Sequence, residues 1–228
     1  MLEEMFHLLG YGLCHQLPER SLLGGGYQLP VCARDTGMYL GFVASLALIA
    51  LLERRRHRTE FPAPWLLALG ALLFAVMALD GVTSYAGLRT TTNLLRFSTG
   101  MAAGWALPLL VVPMVNSSLW SDAAWGRVLS DRWAPVTWIV GLVVTIAVGW
   151  LAFPLLGVGY PIGVSVAIIA TFTSVNLVIV AMFPLFERRF LRLWQAWLPI
   201  VLSALLGLVE VALAAWLRVF LQSLAGVL

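Results

Sequence analysis

The sequence predicts an all-α, polytopic membrane protein with about six transmembrane helices, preceded by a short interfacial or re-entrant segment. The chain is 61% hydrophobic and 11% charged, whereas soluble domains are about 45–50% apolar and about 25% charged. Several apolar runs reach the roughly 20 residues that a helix needs to cross the hydrocarbon core. Nowhere does the chain show the alternating segments of about ten residues that mark a transmembrane barrel. One transmembrane domain therefore covers residues 1–228, divided into an N-terminal interfacial segment, 1–35, and a helical bundle, 36–228.

The opening stretch, MLEEMFHLLGYGLC, carries Glu3 and Glu4 where a cleavable signal would be positively charged, so no signal peptide is expected. Residues 5 to 14 are too short to span and suit a helix at the membrane surface. The first spanning helix is expected from Thr36 to Leu52, closed by ERRRHRTE. The second runs from Pro64 to Tyr85, since proline is tolerated in a first helical turn. The third runs from Leu94 to Leu119, with Pro108 and Pro113 expected to kink it. The fourth covers Trp133 to Leu156, the fifth Tyr160 to Phe186, after the turn LGVGYP, and the sixth Trp194 to Leu224. The ten tryptophans fall mostly near helix ends, as an aromatic belt does.

All 14 basic residues are arginines. The loops after helices one, three and five hold nine of them: Arg54, Arg55, Arg56, Arg58, Arg127, Arg132, Arg188, Arg189 and Arg192. The arginine-rich side should face the cytoplasm of a plasma membrane, which puts both chain termini and both cysteines outside. So few charges give no support to nucleic-acid binding. The expected partner is the lipid bilayer, together with a lipid or small-molecule ligand or a partner subunit of a membrane complex.

Cys14, His15, Cys32 and Asp35 put four potential metal ligands into 22 residues. Thiolate, imidazole and carboxylate are the donors that zinc and similar divalent ions prefer. Cys32 and Asp35 share one face of a helical turn, whereas Cys14 and His15 would diverge by about 100° on a regular helix. Cys14, Cys32 and Asp35 would then be ligands, with His15 a fourth ligand or a catalytic proton carrier. The competing structural reading is a disulfide between Cys14 and Cys32, worth about 3 kcal/mol, with Asp35 or Thr36 as a plain N-cap.

The combined pattern CHQ, PERS, P-x-C-x-R-x-T-G-x-Y-x-G-F, DG and TNLLRFSTG resembles an uncharacterised prokaryotic membrane-protein family, domain of unknown function 2085. The resemblance covers about residues 12 to 105. It implies a site and no reaction. At the position that Asp35 holds, the family often carries a cysteine. An exchange of Cys for Asp keeps a metal ligand but not a disulfide partner.

A second constellation lies nearby. Asp80, near the outer end of helix two, is either a catalytic or supporting group or the ion-pair partner of Arg89 or Arg96. Asn93, Arg96 and Gly100 share one helical face. Arg96 lies at a helix start, so with Asn93 it is a substrate-binding candidate for a phosphate or carboxylate, or else a snorkelling interfacial arginine. Glu210, mid-span in helix six, and Asn176 are an intramembrane ion or proton site, or a buried hydrogen-bonded pair. His7 and His57 read as surface residues. No Walker A loop, HExxH or GxSxG motif is present.

Three functions compete. The first is a metal-dependent hydrolase or transferase acting on an amphipathic substrate at the outer face. The second is a transporter of a small solute or metal ion. The third is an accessory subunit of a larger complex.

Overall fold

The structure is a computed structural model that describes residues 2–54 and 56–224. Arg55, counted above among the cytoplasmic arginines, and residues 225–228 lie outside the described residues. Among the described residues, six helical spans are long and apolar enough to cross a membrane. After the N-terminal helix α1 (Leu2–Tyr11), the spans are α2 (Ala33–Leu52), α3 (Pro64–Tyr85), the pair α4 (Asn93–Ala106) and α5 (Pro108–Leu119), α6 (Ala134–Leu151), α7 (Gly159–Ala181) and α8 (Trp197–Leu224). The chain is a multi-pass helical membrane protein.

Several boundaries differ from the sequence expectation: the fifth span ends at Ala181 rather than Phe186, the sixth begins at Trp197 rather than Trp194, and three others differ for a local reason. Helix α2 begins about a turn early, because extended Cys32 (φ −65°, ψ 166°) is its N-cap. Asp35 therefore falls in the first turn, where a carboxylate favours the positive helix end, and it does not cap. The third span is interrupted at Leu107, before Pro108, whereas Pro113 stays inside α5. The fourth span ends at Leu151, and Phe153–Leu156 form a separate 3₁₀ turn around Pro154.

The centre of the bundle is the crossing of α2 and α4. Gly37 and Gly41 of α2 face Gly100 and Gly104 of α4, backbone against backbone. A Cβ at Gly100 would lie 1.9 Å from the Arg34 carbonyl oxygen, and one at Gly104 would lie 1.9 Å from that of Met38. A Cβ at Gly37 would lie 2.2 Å from the Phe97 oxygen. Small residues let membrane helices approach this closely. The approach locks the start of α2 against the start of α4, the two helix ends that carry the candidate residues.

Outside the spans the chain forms short strands that an all-helical reading does not contain. Strands β1 (Ser21–Gly24) and β2 (Tyr27–Cys32) make an antiparallel hairpin. Its turn is Gly25-Gly26, with φ of 60° and 84°, the positive values that a two-residue hairpin turn needs. Leu29 and Val31 of β2 are fully buried beside Tyr39, Val164 and Ile168. At the opposite end of the bundle, β3 (Arg58–Glu60) pairs in parallel with β4 (Ala124–Arg127). Arg58 is buried there between Glu53 (3.2 Å) and Asp131 (2.8 Å).

Candidate metal centre

Cys14 sits just beyond the last turn of α1, with its N–H donating to the Gly10 carbonyl at 2.9 Å. The chain then reverses at Gln16, which has a positive φ of 55° and is buried. The Gln16 side chain donates to the carbonyls of His7 (2.9 Å) and Pro30 (2.7 Å), which ties α1 to β2. Gln28 in turn donates to the Gln16 carbonyl. This clamp brings Cys14 to the end of β2, where the backbone N–H of Cys32 donates to its sulfur at 3.2 Å.

Asp35, one turn into α2, points back to the same spot. Its Oδ2 accepts from the Cys32 thiol at 3.2 Å. The ligand atoms of Cys14, Cys32 and Asp35 all lie within 4.8 Å of one another, and all three residues are half-buried. A tetrahedral zinc with sulfur near 2.3 Å and oxygen near 2.0 Å sets its ligand atoms about 3.5–3.8 Å apart. Shifts of about an ångström would close the group on an ion, and two thiols with a carboxylate are a zinc-type donor set. Both cysteines are free thiols.

The electrostatics of the pair are asymmetric. The neighbouring Cys32 side chain holds the Cys14 thiol below the usual value, helped by the N–H groups of Gln16 and Cys32 and opposed by burial and the charge of Asp35. The Cys14 side chain, burial and the charge of Asp35 push the Cys32 thiol upward.

His15 does not join the three ligands. It is exposed, and with Cys14 it lines a cleft of about 470 Å³ between the N-terminal segment and the end of α8. Arg218 of α8 borders this cleft, donating to the carbonyls of Tyr11 (2.5 Å) and Cys14 (2.7 Å) and stacking over the Tyr11 ring.

Asp80 is buried, and its partners are Arg34 (2.5 Å), Arg89 and Thr91 (3.1 Å), not Arg96. Two guanidinium groups hold this carboxylate, which makes it a clamp between α2, α3 and the segment leading into α4. Arg34 is the neighbour of Asp35, so the clamp fixes the turn that presents the third ligand. Arg96 is also buried and donates to Asn93 at 3.1 Å. It lies within electrostatic range of Cys32, Asp80, Arg20 and Arg34. Asn93 donates to the Glu19 carbonyl, linking this arginine patch to the hairpin segment. The alternation of the spans puts all these residues at one end of the bundle. Asn176 and Glu210 lie apart from them, deep between α7 and α8, joined by a 2.9 Å hydrogen bond.

The glutamine of CHQ is a site-building residue that ligand spacing does not reveal, because it acts through two backbone carbonyls. The Gly-Gly turn between apolar runs was the available signal for the hairpin that carries Cys32.

The family described as "Predicted membrane protein (DUF2085)" matches residues 14–110, which include Cys14, Cys32, Asp35, Asp80 and Arg96. An uncharacterized protein of Methanocaldococcus jannaschii is 33% identical over 102 residues, which is 45% of this chain and 63% of that protein. An uncharacterized protein of Methanothermobacter thermautotrophicus is 42% identical over 98 residues, 43% of this chain and 83% of that protein. No solved structure matches the chain.

Proposed function

Because the chain belongs to the DUF2085 family of predicted membrane proteins, a family described by its membrane location and not by a reaction, we propose its function from the site itself: a metal-dependent hydrolase or transferase that acts on an amphipathic substrate at the extracytoplasmic face. The observation that carries this reading is the convergence of Cys14, Cys32 and Asp35, from two segments 18 residues apart, to within 4.8 Å. Three protein ligands leave a divalent ion such as zinc one open position, and the ion can polarise a carbonyl or phosphoryl oxygen or lower the pKa of a bound water to about 7. Cys14 borders the cleft, so that position has a route to solvent and to lipid. His15 at the cleft supplies a general base. Arg96, with Asn93, grips an anionic head group, and the Arg34–Asp80–Arg89 clamp holds the ligand-bearing turn. Cobalt substitution tests the centre: the purified chain should gain a thiolate-to-cobalt charge-transfer band that Cys14→Ser and Cys32→Ser each weaken. A spectrum unchanged in both variants would remove the metal from the account.

Transport is a second reading, supported by the Asn176–Glu210 pair. Glu210 is one turn below Ala214 on the α8 face whose Ala214, Leu217, Arg218 and Leu221 line the cleft beside Cys14. If an ion or proton follows that face, Glu210→Gln should abolish flux in proteoliposomes. An enzyme should tolerate the change.

A further inference from the structure

A cavity of about 570 Å³ opens at the other end of the bundle, away from the cysteines, among α2, α5, α7 and the start of α8. We propose that it binds one anionic phospholipid, with an acyl chain inside and the phosphate at the mouth.

The interior is apolar, formed by Leu46, Val111, Val115, Leu177 and Ile200. Leu46, Val111 and Thr173 lie six to eight residues from the ends of their helices, so the cavity reaches about 9–12 Å below the mouth. Three polar side chains border it, and each is satisfied within the protein. Thr173 and Ser174 donate to the carbonyls one turn back, at 2.7 Å each. Asn116 donates to the Arg58 carbonyl and accepts from the Trp120 indole. The interior thus has no polar demand left for an occupant to meet, and hydrocarbon fits it.

The mouth has the opposite character. Arg54, Arg56, His57 and Arg192 stand around it. Its one acid, Glu53, is buried and already occupied by Arg58 and the Leu129 N–H. Arg56 reaches only the outer, shared carboxylate of Asp131, at 3.6 Å. His57 is held by Asp122 and stacked on Trp120. Among the described residues, Arg54 and Arg192 pair with no acid, and both are exposed. Unpaired guanidiniums above an apolar pocket complement a phosphate carrying an acyl chain. A topological signal alone explains arginines at this face, but it does not require a cavity beneath them.

Native mass spectrometry of the full chain in detergent tests the proposal, by titration with phosphatidylglycerol, with phosphatidylcholine of the same chains, and with glycerol phosphate. The wild type should bind one phosphatidylglycerol about tenfold more tightly than phosphatidylcholine and should not retain glycerol phosphate. Removing both charges in Arg54→Gln/Arg192→Gln should erase the preference. Ser174→Phe, which fills the cavity, should weaken both lipids at an unchanged head-group preference. Because the arginines are exposed, the double variant should keep the wild-type melting temperature, so it tests the site even if Ser174→Phe fails to fold. Equal binding of the two lipids by the wild type, an undiminished preference in the arginine variant, or equally tight glycerol phosphate would each overturn the proposal.

Discussion

Substituting Gly100 by alanine should break the crossing that holds the candidate site. The added Cβ would meet the Arg34 carbonyl oxygen at 1.9 Å. Carbon and carbonyl oxygen approach no closer than about 3.3 Å, so α2 and α4 must separate locally by about 1.4 Å. The obstacle is backbone, not a movable side chain. Alanine recovers up to about 1 kcal/mol of helix propensity, against an overpacking cost at or above the upper end of about 1–3 kcal/mol. The expected net loss is about 2 kcal/mol, or about 4–8 °C in melting temperature for a chain of this size. Gly163→Ala is the matched control, because nothing lies within 4 Å of its Cβ position. It should leave stability unchanged or raise it. The assay is thermal unfolding of the two purified variants in one detergent, with cobalt binding measured alongside, since Arg34 is the neighbour of Asp35. Equal melting temperatures for Gly100→Ala and Gly163→Ala would refute the close helix contact and the account of how the site is held.

Gln16→Ala removes two hydrogen bonds and leaves the buried Pro30 carbonyl without its donor; it should cost about 1–3 kcal/mol and lower metal affinity about 10–100-fold, as loss of a supporting residue does, measured by unfolding and chelator competition. Asp80→Asn leaves the guanidinium of Arg34 uncompensated in a mostly buried position; a loss of about 3 kcal/mol is expected, and a melting temperature within a degree of wild type would contradict the clamp. Alkylation of Cys14 should reach half its maximal rate below the roughly pH 8.5 of an ordinary thiol, and Cys32→Ala should move that midpoint upward because it removes the hydrogen bond that lowers it. The hydrogen bond from Arg58 holds the Asp131 carboxyl below its ordinary value. Its contribution is therefore complete above the unfolded value near pH 4 and is lost as pH falls through the lower folded value. Asp131→Asn should flatten the acid end of the stability profile, and an unaltered acid limb would count against the pair.

The spans were legible because a bilayer imposes a length and an apolar composition that few sequences meet by accident. The second helix, Pro64 to Tyr85, matches the structure at both ends, since proline marks its start and polar residues follow it. Cys32 and Asp35 were legible as one face of a helical turn, although Cys32 proved to be the cap and Asp35 a first-turn residue. What the sequence did not reveal depends on contacts distant along the chain. Arg34 pairs with Asp80 across 46 residues, and nothing local distinguishes it from an interfacial arginine. His57 read as a surface residue because its stacking on Trp120 depends on the pairing of β3 with β4. The close approach of Gly100 and Gly104 to the backbone of α2 could be identified only once the two helices were seen to cross.

The central claim is that Cys14, Cys32 and Asp35 form a metal centre. Elemental mass spectrometry on the full chain, purified without chelator, measures it most directly, with Cys32→Ser and Asp35→Ala prepared in parallel. The account predicts about one zinc-like ion per wild-type chain and a clear loss in both variants. An ion content that is the same in all three proteins, or no bound metal in the wild type, would contradict it.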